Sequence, residues 1–217
     1  MRESGPDMAP RRPRIDRSRM EHPRTGPDAT RADEARREPL DLVHRSLFER
    51  RTVLLFGEIS SELAASVGAE LLSLAALSTA PIRMVIHSPG GHVEAGDVLH
   101  DLVRAIEPEV TIVGTGWVPS AAALVYVAVP PARRLSLPNT RFLLHQPLGG
   151  VQGRASDIEI EARQISSIRA RLNRIFAEAT GQPYEKIALD TERNHWMSAE
   201  EAVTYGLVGA ITTSLAM

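Results

Sequence analysis

The sequence contains no cysteine, and this absence excludes several kinds of chemistry. Without cysteine there is no disulfide, no thiolate nucleophile and no cysteine-bound metal. The composition is compatible with a reducing cytoplasm, which is where we expect this protein to be located. The seven histidines are scattered without the spacing of metal ligands, so we predict neither a metal site nor a cofactor.

Long apolar runs are also missing, and aromatic residues are few. No stretch reaches the roughly 18 consecutive apolar residues of a membrane span, and the basic start lacks the apolar segment of a secretory signal. A net charge of −2 predicts no general attraction to nucleic acid or to membranes. Because 43% of residues are hydrophobic and only 4% aromatic, we predict a core of Ala, Leu, Val and Ile.

The length of 217 residues favours one sizeable α/β domain. Residues 1–38 hold hardly any large apolar side chain, so they are predicted to be a disordered tail or a removable propeptide. Their arginines are interleaved with acids, which favours a solvated tail over a nucleic-acid arm. The folded domain is predicted to cover residues 39–217.

The first half of this domain alternates strands and helices. The strand TVLLFG comes first, followed by a helix capped by Ser60 or Ser61 with Leu63, Val67, Leu71 and Leu74 on one face. A strand from Arg83 to His87 then leads to a helix from Val93 to Ile106, in which Val98, Leu99, Leu102 and Ile106 recur at helical spacing. A buried strand from Val110 to Gly114 follows. Strand, helix and strand within so few residues indicate a parallel sheet covered by helices.

The second half continues the alternation. Gly116 to Pro119 is predicted to break the strand before a helix from Ala121 to Val129, and two strands follow at Arg134–Leu137 and Thr140–His145, around the turn Pro138-Asn139. A long amphipathic helix is predicted from Ala155 to Thr180, ended by Gly181, and a shorter helix from Tyr184 to Glu192. The last elements are a helix that begins at the capping box Ser198/Glu201 and ends at Gly206, and a strand from Leu207 to Ile211. The long helix either packs on its own core or projects into a partner.

Ser120 and His145 are the candidate nucleophile and base. A serine hydroxyl needs an imidazole within hydrogen-bond reach to take its proton, and unpaired amides at a helix start stabilise an oxyanion. Each residue also has a purely structural explanation, because serine is common as an N-cap and a lone histidine often only packs. The glycines of Ser88-Pro89-Gly90-Gly91 would allow close approach of a substrate backbone, although taken alone this segment is only a turn.

The motifs together resemble the proteolytic subunit of the Clp protease, ClpP. They are SPGG after a strand, Gly-x-x-x-Ser at a helix start, LPN-x-R-x-x-x-HQPLGG, GE after the first strand, QGRASDIEIEAR, TGQ, DTER and SAEEAVTYGLV, in the same order from about Asp41 onward. The resemblance implies a ClpP/crotonase-like α/β spiral of ββα units with a projecting handle helix from Gly149 to about Thr180. It also implies two stacked heptameric rings, in which Glu192-Arg193 lie near the ring-to-ring contact, and a chamber fed with unfolded polypeptides by an AAA+ unfoldase.

By this resemblance Ser120 is the nucleophile, His145 is its general base, and the amides of Gly91 and Ala121 form the oxyanion hole. The family's third catalytic residue is an aspartate after DTER, and the chain has Asn194 there. Asparagine accepts a hydrogen bond from imidazole but brings no charge, so the triad is expected to be slow, conditional on a partner, or inactive. Asp190 is an alternative partner for the histidine.

Two further departures concern the cleft and the outer face. Trp117 is expected to narrow the substrate cleft, and Pro119 to alter the approach to Ser120. The positions where the family carries aromatic anchors for the unfoldase hold Arg83, Val85 and Ala105, which should weaken docking. We therefore expect a specialised subunit that works beside a second ClpP paralogue, which docks the unfoldase.

Three functions remain open from the sequence. The first is a serine endopeptidase subunit that depends on a partner ring. The second is a non-catalytic structural or regulatory subunit of a mixed ring. The third is an acyl-CoA hydratase or isomerase of the related crotonase fold, which the HQPLGG and DTER motifs oppose.

Overall fold

Two β-sheets carry the fold in the computed structural model, which describes residues 42–215. The strands are β1 (Thr52–Phe56), β2 (Ile82–His87), β3 (Val110–Gly114), β4 (Trp117–Pro119), β5 (Arg134–Ser136), β6 (Arg141–Leu144), β7 (His195–Ser198) and β8 (Ala210–Ile211). The larger sheet has the order β1-β2-β3-β5-β8 and is parallel throughout. In the smaller sheet β6 is central, parallel to β4 and antiparallel to β7. The predicted tail, residues 1–38, lies outside the described residues.

Seven helices and one 3₁₀ turn are found in the described range. They are α1 (42–49), α2 (Ser61–Leu77), α3 (Val93–Ala105), α4 (Ala121–Tyr126), α5 (Ala155–Thr180), α6 (Tyr184–Asp190) and α7 (Ala199–Tyr205), with the 3₁₀ turn at Pro131–Arg133. Three predicted helix boundaries are confirmed, because Ser60 caps α2, Gly181 caps α5 and the capping box of Ser198 and Glu201 opens α7. Within residues 42–215 no helix is both long and apolar enough to cross a membrane.

The predicted parallel sheet with covering helices is confirmed for β1, β2 and β3. Helix α2 buries Val67, Leu71 and Leu74 against this sheet region. Helix α4 is buried along its whole length, because its alanines allow close packing. A Cβ added at Gly96 of α3 would lie 3.1 Å from the Cβ of Ala121. This close approach of α3 and α4 fixes the start of α4, where Ser120 lies.

Several sequence predictions for the middle of the chain were wrong. Leu99 is buried as predicted, but Val98 is half exposed. Helix α3 buries Ala95 and Val103 together with Leu99, because these three residues lie one turn apart along a neighbouring stripe. Gly116 to Pro119 is more than a break, since it contains β4. The predicted Arg134–Leu137 and Thr140–His145 strands shorten to β5 and β6 and join different sheets.

The ends of three further predictions also shift. Helix α4 ends at Tyr126 rather than Val129, α6 ends at Asp190 rather than Glu192, and β8 covers only Ala210–Ile211. Leu207 and Val208 are buried without forming a strand. Buried apolar residues alone do not reveal where backbone pairing stops.

Helix α5 projects from the domain. Residues 155–164 are exposed on every side, whereas Leu172, Asn173 and Phe176 near its other end are buried. An ion pair between Arg171 and Asp97 of α3, with distances of 2.7 and 2.6 Å, fixes the base of this helix. The base therefore belongs to the core of the domain, and the first half forms the predicted handle.

Candidate active site

Ser120 stands at the junction of β4 and α4 in a strained conformation. Its φ and ψ angles are 55° and −125°, a region that residues with a side chain rarely adopt. Its backbone N–H donates to the Leu143 carbonyl of β6 at 3.0 Å. The side chain makes no capping hydrogen bond to α4, so helix capping does not explain this serine. The geometry leaves the hydroxyl available at a sharp turn between strand and helix.

The Ser88-Pro89-Gly90-Gly91 turn packs directly against this junction. A Cβ at Gly90 would lie 2.9 Å from the Cβ of Ser120, and a Cβ at Gly91 would lie 2.4 Å from the Ile59 carbonyl oxygen. Both glycines have positive φ, at 88° and 154°. Only glycine fits at these two positions, because any larger residue would collide and be strained. The turn is thereby held beside the start of α4.

Gly91 and Ala121 are the predicted oxyanion-hole residues, and both lie where the turn meets α4. Ala121 is the first residue of α4, and Gly91 lines the same cleft as Ser120. Between residues 42 and 215, neither backbone N–H donates a hydrogen bond to another backbone group. N–H groups without a backbone partner are able to stabilise a developing oxyanion when they point at it, and this role of Gly91 and Ala121 stays a prediction.

His145 follows β6 and lines the same cleft as Ser120. Burial lowers the pKa of His145 below its ordinary value, and a hydrogen bond with the Asn194 side chain acts in the opposite direction. The imidazole is therefore neutral at pH 7, which is the form that accepts a proton. Within the described residues no hydrogen bond joins Ser120 to His145.

Asn194 reaches His145 because of the register between two strands. Leu144 of β6 pairs with His195 of antiparallel β7, so His145 and Asn194 are the next residues at that end of the pair. Gln146 strengthens this junction by donating its backbone N–H to the Thr191 carbonyl at 2.8 Å and its Nε2 to the Glu192 carbonyl at 3.0 Å. The structure thus joins the segment of His145 to the segment of Asn194.

A buried contact that the sequence did not predict supports this region. The Thr191 hydroxyl hydrogen-bonds to the Asn173 Oδ1 of α5 at 3.0 Å, and both side chains are almost fully buried. The available signal was a lone asparagine between the apolar residues Leu172 and Phe176. In a helix rich in polar residues such an asparagine is easily assigned to the surface.

Asp190 is not the partner of His145. Its carboxylate accepts hydrogen bonds from Lys186 Nζ and from the Tyr205 hydroxyl, both at 2.6 Å. Desolvation raises the pKa of Asp190, but these two hydrogen bonds and the nearby positive charge outweigh it and lower the pKa overall. The carboxylate therefore serves the contact between α6 and α7, and the alternative that placed it in the triad is not supported.

The cleft around Ser120 and His145 has a volume of about 530 Å³. Apolar side chains dominate its lining, and they include Trp117, Leu143, Pro147, Ile165, Ile168 and Trp196. His92 and Glu94 add polar groups to the lining. Trp117 lines this cleft, and narrowing of the cleft by its indole ring stays a prediction. Over the described range no group of three or more side chains is arranged to bind a metal ion.

Comparison with known proteins identifies the family. A profile described as Clp protease matches residues 35–214. The chain belongs to the Clp protease family. It is 60% identical over 171 residues to an ATP-dependent Clp protease proteolytic subunit 3 of Rhizobium etli, and the aligned residues cover 79% of this chain and 88% of the relative. This membership is evidence against the hydratase or isomerase alternative.

A second relative and a solved structure agree with this membership in the Clp protease family. The chain is 53% identical over 196 residues to a proteolytic subunit 2 of Gluconobacter oxydans, covering 87% of this chain and 88% of that one. An asparagine-to-aspartate mutant of ClpP1 from Listeria monocytogenes is 48% identical, covers 80% of this chain and 97% of its own, and has a TM-score of 0.75. The predicted ClpP-like fold is thereby confirmed.

The outer-face positions of this Clp protease family member lie on or beside β2 and α3. Val85 is buried, Ala105 is exposed, and the Arg83 guanidinium donates a hydrogen bond to the Leu215 carbonyl near the C-terminus. None of the three offers an aromatic ring to a partner. Weakened unfoldase docking at this face stays a prediction.

Proposed function

We propose that this chain is a serine endopeptidase subunit of a Clp protease that cleaves unfolded polypeptides within a chamber of stacked heptameric rings. Its triad is the atypical set Ser120, His145 and Asn194. One observation carries the proposal: a strained serine with an uncapped hydroxyl shares a cleft with a histidine that burial keeps neutral and that strand register places opposite Asn194.

The proposed reaction is acyl transfer to Ser120. His145 takes the proton of the Ser120 hydroxyl while the oxygen attacks the carbonyl carbon of the substrate. The N–H groups of Gly91 and Ala121 donate to the resulting oxyanion. The imidazolium then returns the proton to the leaving amine, and a water activated in the same way hydrolyses the acyl-enzyme.

Asn194 supports only part of what an aspartate supplies. Its side-chain carbonyl accepts a hydrogen bond from the imidazole and orients the ring, but it carries no charge to stabilise the imidazolium. We therefore propose a slow reaction in the chain alone and a faster one beside a second ClpP paralogue. The same paralogue would dock the AAA+ unfoldase, because Arg83, Val85 and Ala105 supply no aromatic anchor.

A catalytically weak or inactive subunit with a structural or regulatory role is the second candidate function. Two observations favour it: no hydrogen bond links Ser120 to His145 in the described residues, and Asn194 is uncharged. In this case the chain would contribute to a mixed Clp complex without cutting substrate. Replacing Ser120 would then leave the peptidase rate of that complex unchanged.

Covalent labelling separates the two functions. The full chain, alone and mixed with its paralogue, is treated with a fluorophosphonate probe and the modified residue is located by mass spectrometry. We expect Ser120 to be labelled at least in the mixed complex, with Ser120→Ala unlabelled and Ser60→Ala, which loses only the cap of α2, labelled as before. Absence of label in every assembly would refute the endopeptidase proposal.

A further inference from the structure

Both tryptophans of the chain lie in the candidate active-site cleft. Trp117 and Trp196 are the only two in the sequence, and both line the cleft of Ser120 and His145. Their rings are nearly parallel, with an interplanar angle of 5° and a centroid separation of 6.3 Å. Arg141 places its guanidinium 5.0 Å from the centroid of the Trp196 ring. The proposed mechanism uses none of these three side chains.

Strand register explains why the two rings meet. Trp117 of β4 pairs with Arg141 of β6, and Leu143 of β6 pairs with Trp196 of β7. Paired residues and their second neighbours share one face of a sheet, so these four side chains lie on the cleft side. Phe142, between Arg141 and Leu143, points to the other side and is fully buried. The aromatic wall is thus built on strands rather than on loops.

Each tryptophan is close in sequence to a candidate catalytic residue. Trp117 precedes Ser120 by three residues on the strand that leads into it, and Trp196 follows Asn194 by two residues. Trp196 keeps 41% of its surface exposed despite its contacts with Trp117 and Arg141. An indole left this open beside a nucleophile is available to contact a bound substrate.

We infer that Trp117 and Trp196 form a specificity subsite for an aromatic side chain of the polypeptide substrate, an inference that rests on the proposed endopeptidase function. Indole rings stack with other aromatic rings more favourably than with aliphatic groups of equal area. The remaining apolar lining, such as Ile165 and Ile168, contacts any apolar side chain without this preference. Arg141 is a positioning residue, because its cation–π contact holds Trp196 in place before substrate arrives.

Intrinsic fluorescence tests the inference directly, since every tryptophan signal comes from this cleft. The full-length Ser120→Ala chain is titrated with three blocked peptides that differ at one residue, carrying phenylalanine, cyclohexylalanine or leucine. We expect the phenylalanine peptide to bind about threefold to tenfold more tightly than its cyclohexylalanine counterpart, which has similar size but no π system. Binding should change the tryptophan emission.

Variants assign the preference to the two rings. Trp196→Leu and Trp117→Leu should each bring the affinity of the phenylalanine peptide close to that of the cyclohexylalanine peptide, so that the ratio of the two affinities approaches one. Trp196→Phe should leave this affinity ratio unchanged. Phe56→Leu, which removes an exposed aromatic side chain outside the cleft lining, should leave the ratio unchanged. Arg141→Gln should weaken binding of the phenylalanine peptide more than binding of the other two peptides, because the Trp196 ring is then held less firmly.

Three outcomes would overturn the inference. The first is equal affinity for the phenylalanine and cyclohexylalanine peptides, and the second is a preference for phenylalanine that survives both leucine variants. The third is an equal loss of affinity for all three peptides in the leucine variants, with the affinity ratio unchanged. The last result would show that the rings only pack the sheet. The titration uses a chain that cannot cleave, so its outcome is independent of whether Ser120 acts as a nucleophile. Failure of the endopeptidase proposal and failure of this inference are therefore distinguishable.

Discussion

Burial of His145, opposed in part by the Asn194 side chain, sets the protonation of the proposed base. Burial favours the neutral imidazole by lowering the pKa, whereas the asparagine side chain raises the pKa only through a hydrogen bond. An aspartate at the same position would add a negative charge and would favour the imidazolium more strongly. Burial therefore dominates the resting pKa of the base, and residue 194 modulates both that pKa and the stability of the charged state formed during the reaction.

We predict that Asn194→Asp raises the rate and moves its pH dependence. A neutral base is required, so activity rises with pH through the imidazole pKa, which in this chain lies below the ordinary value of about 6.5. The added carboxylate raises that pKa, so the acid limb of the rate profile should shift to higher pH. The plateau rate should increase by up to about 10⁴-fold, the size of the opposite change in a serine protease.

Hydrolysis of a fluorogenic peptide across the acid and neutral range measures both effects. Asn139→Asp is the matched control, because it adds the same charge at an exposed turn outside the cleft. That control should change neither the acid limb nor the plateau. A profile of Asn194→Asp that coincides with the unsubstituted chain would contradict the role given to this position.

Arg134 is a second residue whose surroundings predict a large effect. Its guanidinium is buried and donates to the carbonyls of Val129 at 2.6 Å and Ala179 at 2.7 Å. These carbonyls follow α4 and end α5, so one side chain ties two helix ends to β5. Burial lowers the pKa of Arg134 to about 10, although Tyr126 acts in the opposite direction, and the group stays charged at pH 7.

We predict that Arg134→Met lowers the free energy of unfolding by about 3 kcal/mol, because it leaves buried carbonyl groups without partners. Arg133→Met is the control, since Arg133 forms a more exposed ion pair with Glu109 at 3.0 Å, and its loss should cost less than about 0.5 kcal/mol. Urea unfolding at one fixed protein concentration compares the two variants. Similar costs would contradict the importance of the buried guanidinium.

Among the elements, α5 connects the projecting handle to the segment that carries Asn194. The buried hydrogen bond between Asn173 and Thr191 is the link, and Ile165 and Ile168 of the same helix line the cleft. A disturbance of α5 therefore reaches both the wall of the cleft and the position of Asn194.

We predict that Thr191→Val costs about 2 kcal/mol of stability, because it leaves the buried Asn173 amide without this partner. Amide hydrogen exchange should increase in residues 191–194 more than in the rest of the domain. The double variant Thr191→Val/Asn173→Leu should recover part of the stability, since it removes both polar partners. Thr204→Val, at an exposed position on α7, is the control and should leave exchange in residues 191–194 unchanged.

The elements also show which features a sequence is able to predict. The limits of α5 match the prediction at both ends, because amphipathic spacing and the glycine stop at Gly181 are local signals. The short strands β4 and β6 were harder to predict, since pairing with strands that are distant in the sequence determines which sheet they join. Val98 was misplaced because two neighbouring stripes of α3 are both apolar, and only packing against α2 and α4 decides between them.

The candidate site likewise contains some features that the sequence predicts and one that it does not. Ser120, His145 and Gly91 follow strand ends or turns with clear sequence motifs, and the structure places all three in one cleft. The contact of Trp196 with Trp117 depends on the register of two strands that are far apart in the sequence and separated by β6. No local pattern contains that information, so the contact of Trp196 with Trp117 emerged only from the structure.

For the whole molecule, the exposed half of α5 is the feature that needs an explanation. Ile158 and Ile160 lie on the projecting segment and remain 40% and 49% exposed. A narrow helix with apolar side chains and no neighbour of its own is stabilised when another chain covers it. In the proposed stacked-ring particle, the handle of one ring would meet the other ring through these residues.

We predict that Ile160→Glu halves the mass of the proposed stacked-ring particle, because it would place a charge in the proposed contact between rings. Arg174→Glu changes an exposed charge nearer the base of the same helix and should leave the mass unchanged. Native mass spectrometry of the full chain with its paralogue compares the two. Since Ile165 and Ile168 of this helix line the cleft, loss of the contact should also reduce fluorophosphonate labelling of Ser120. An unchanged mass would exclude this face of α5 from the contact between rings. Unchanged fluorophosphonate labelling of Ser120 in a smaller particle would show that the reactivity of the site does not depend on this contact.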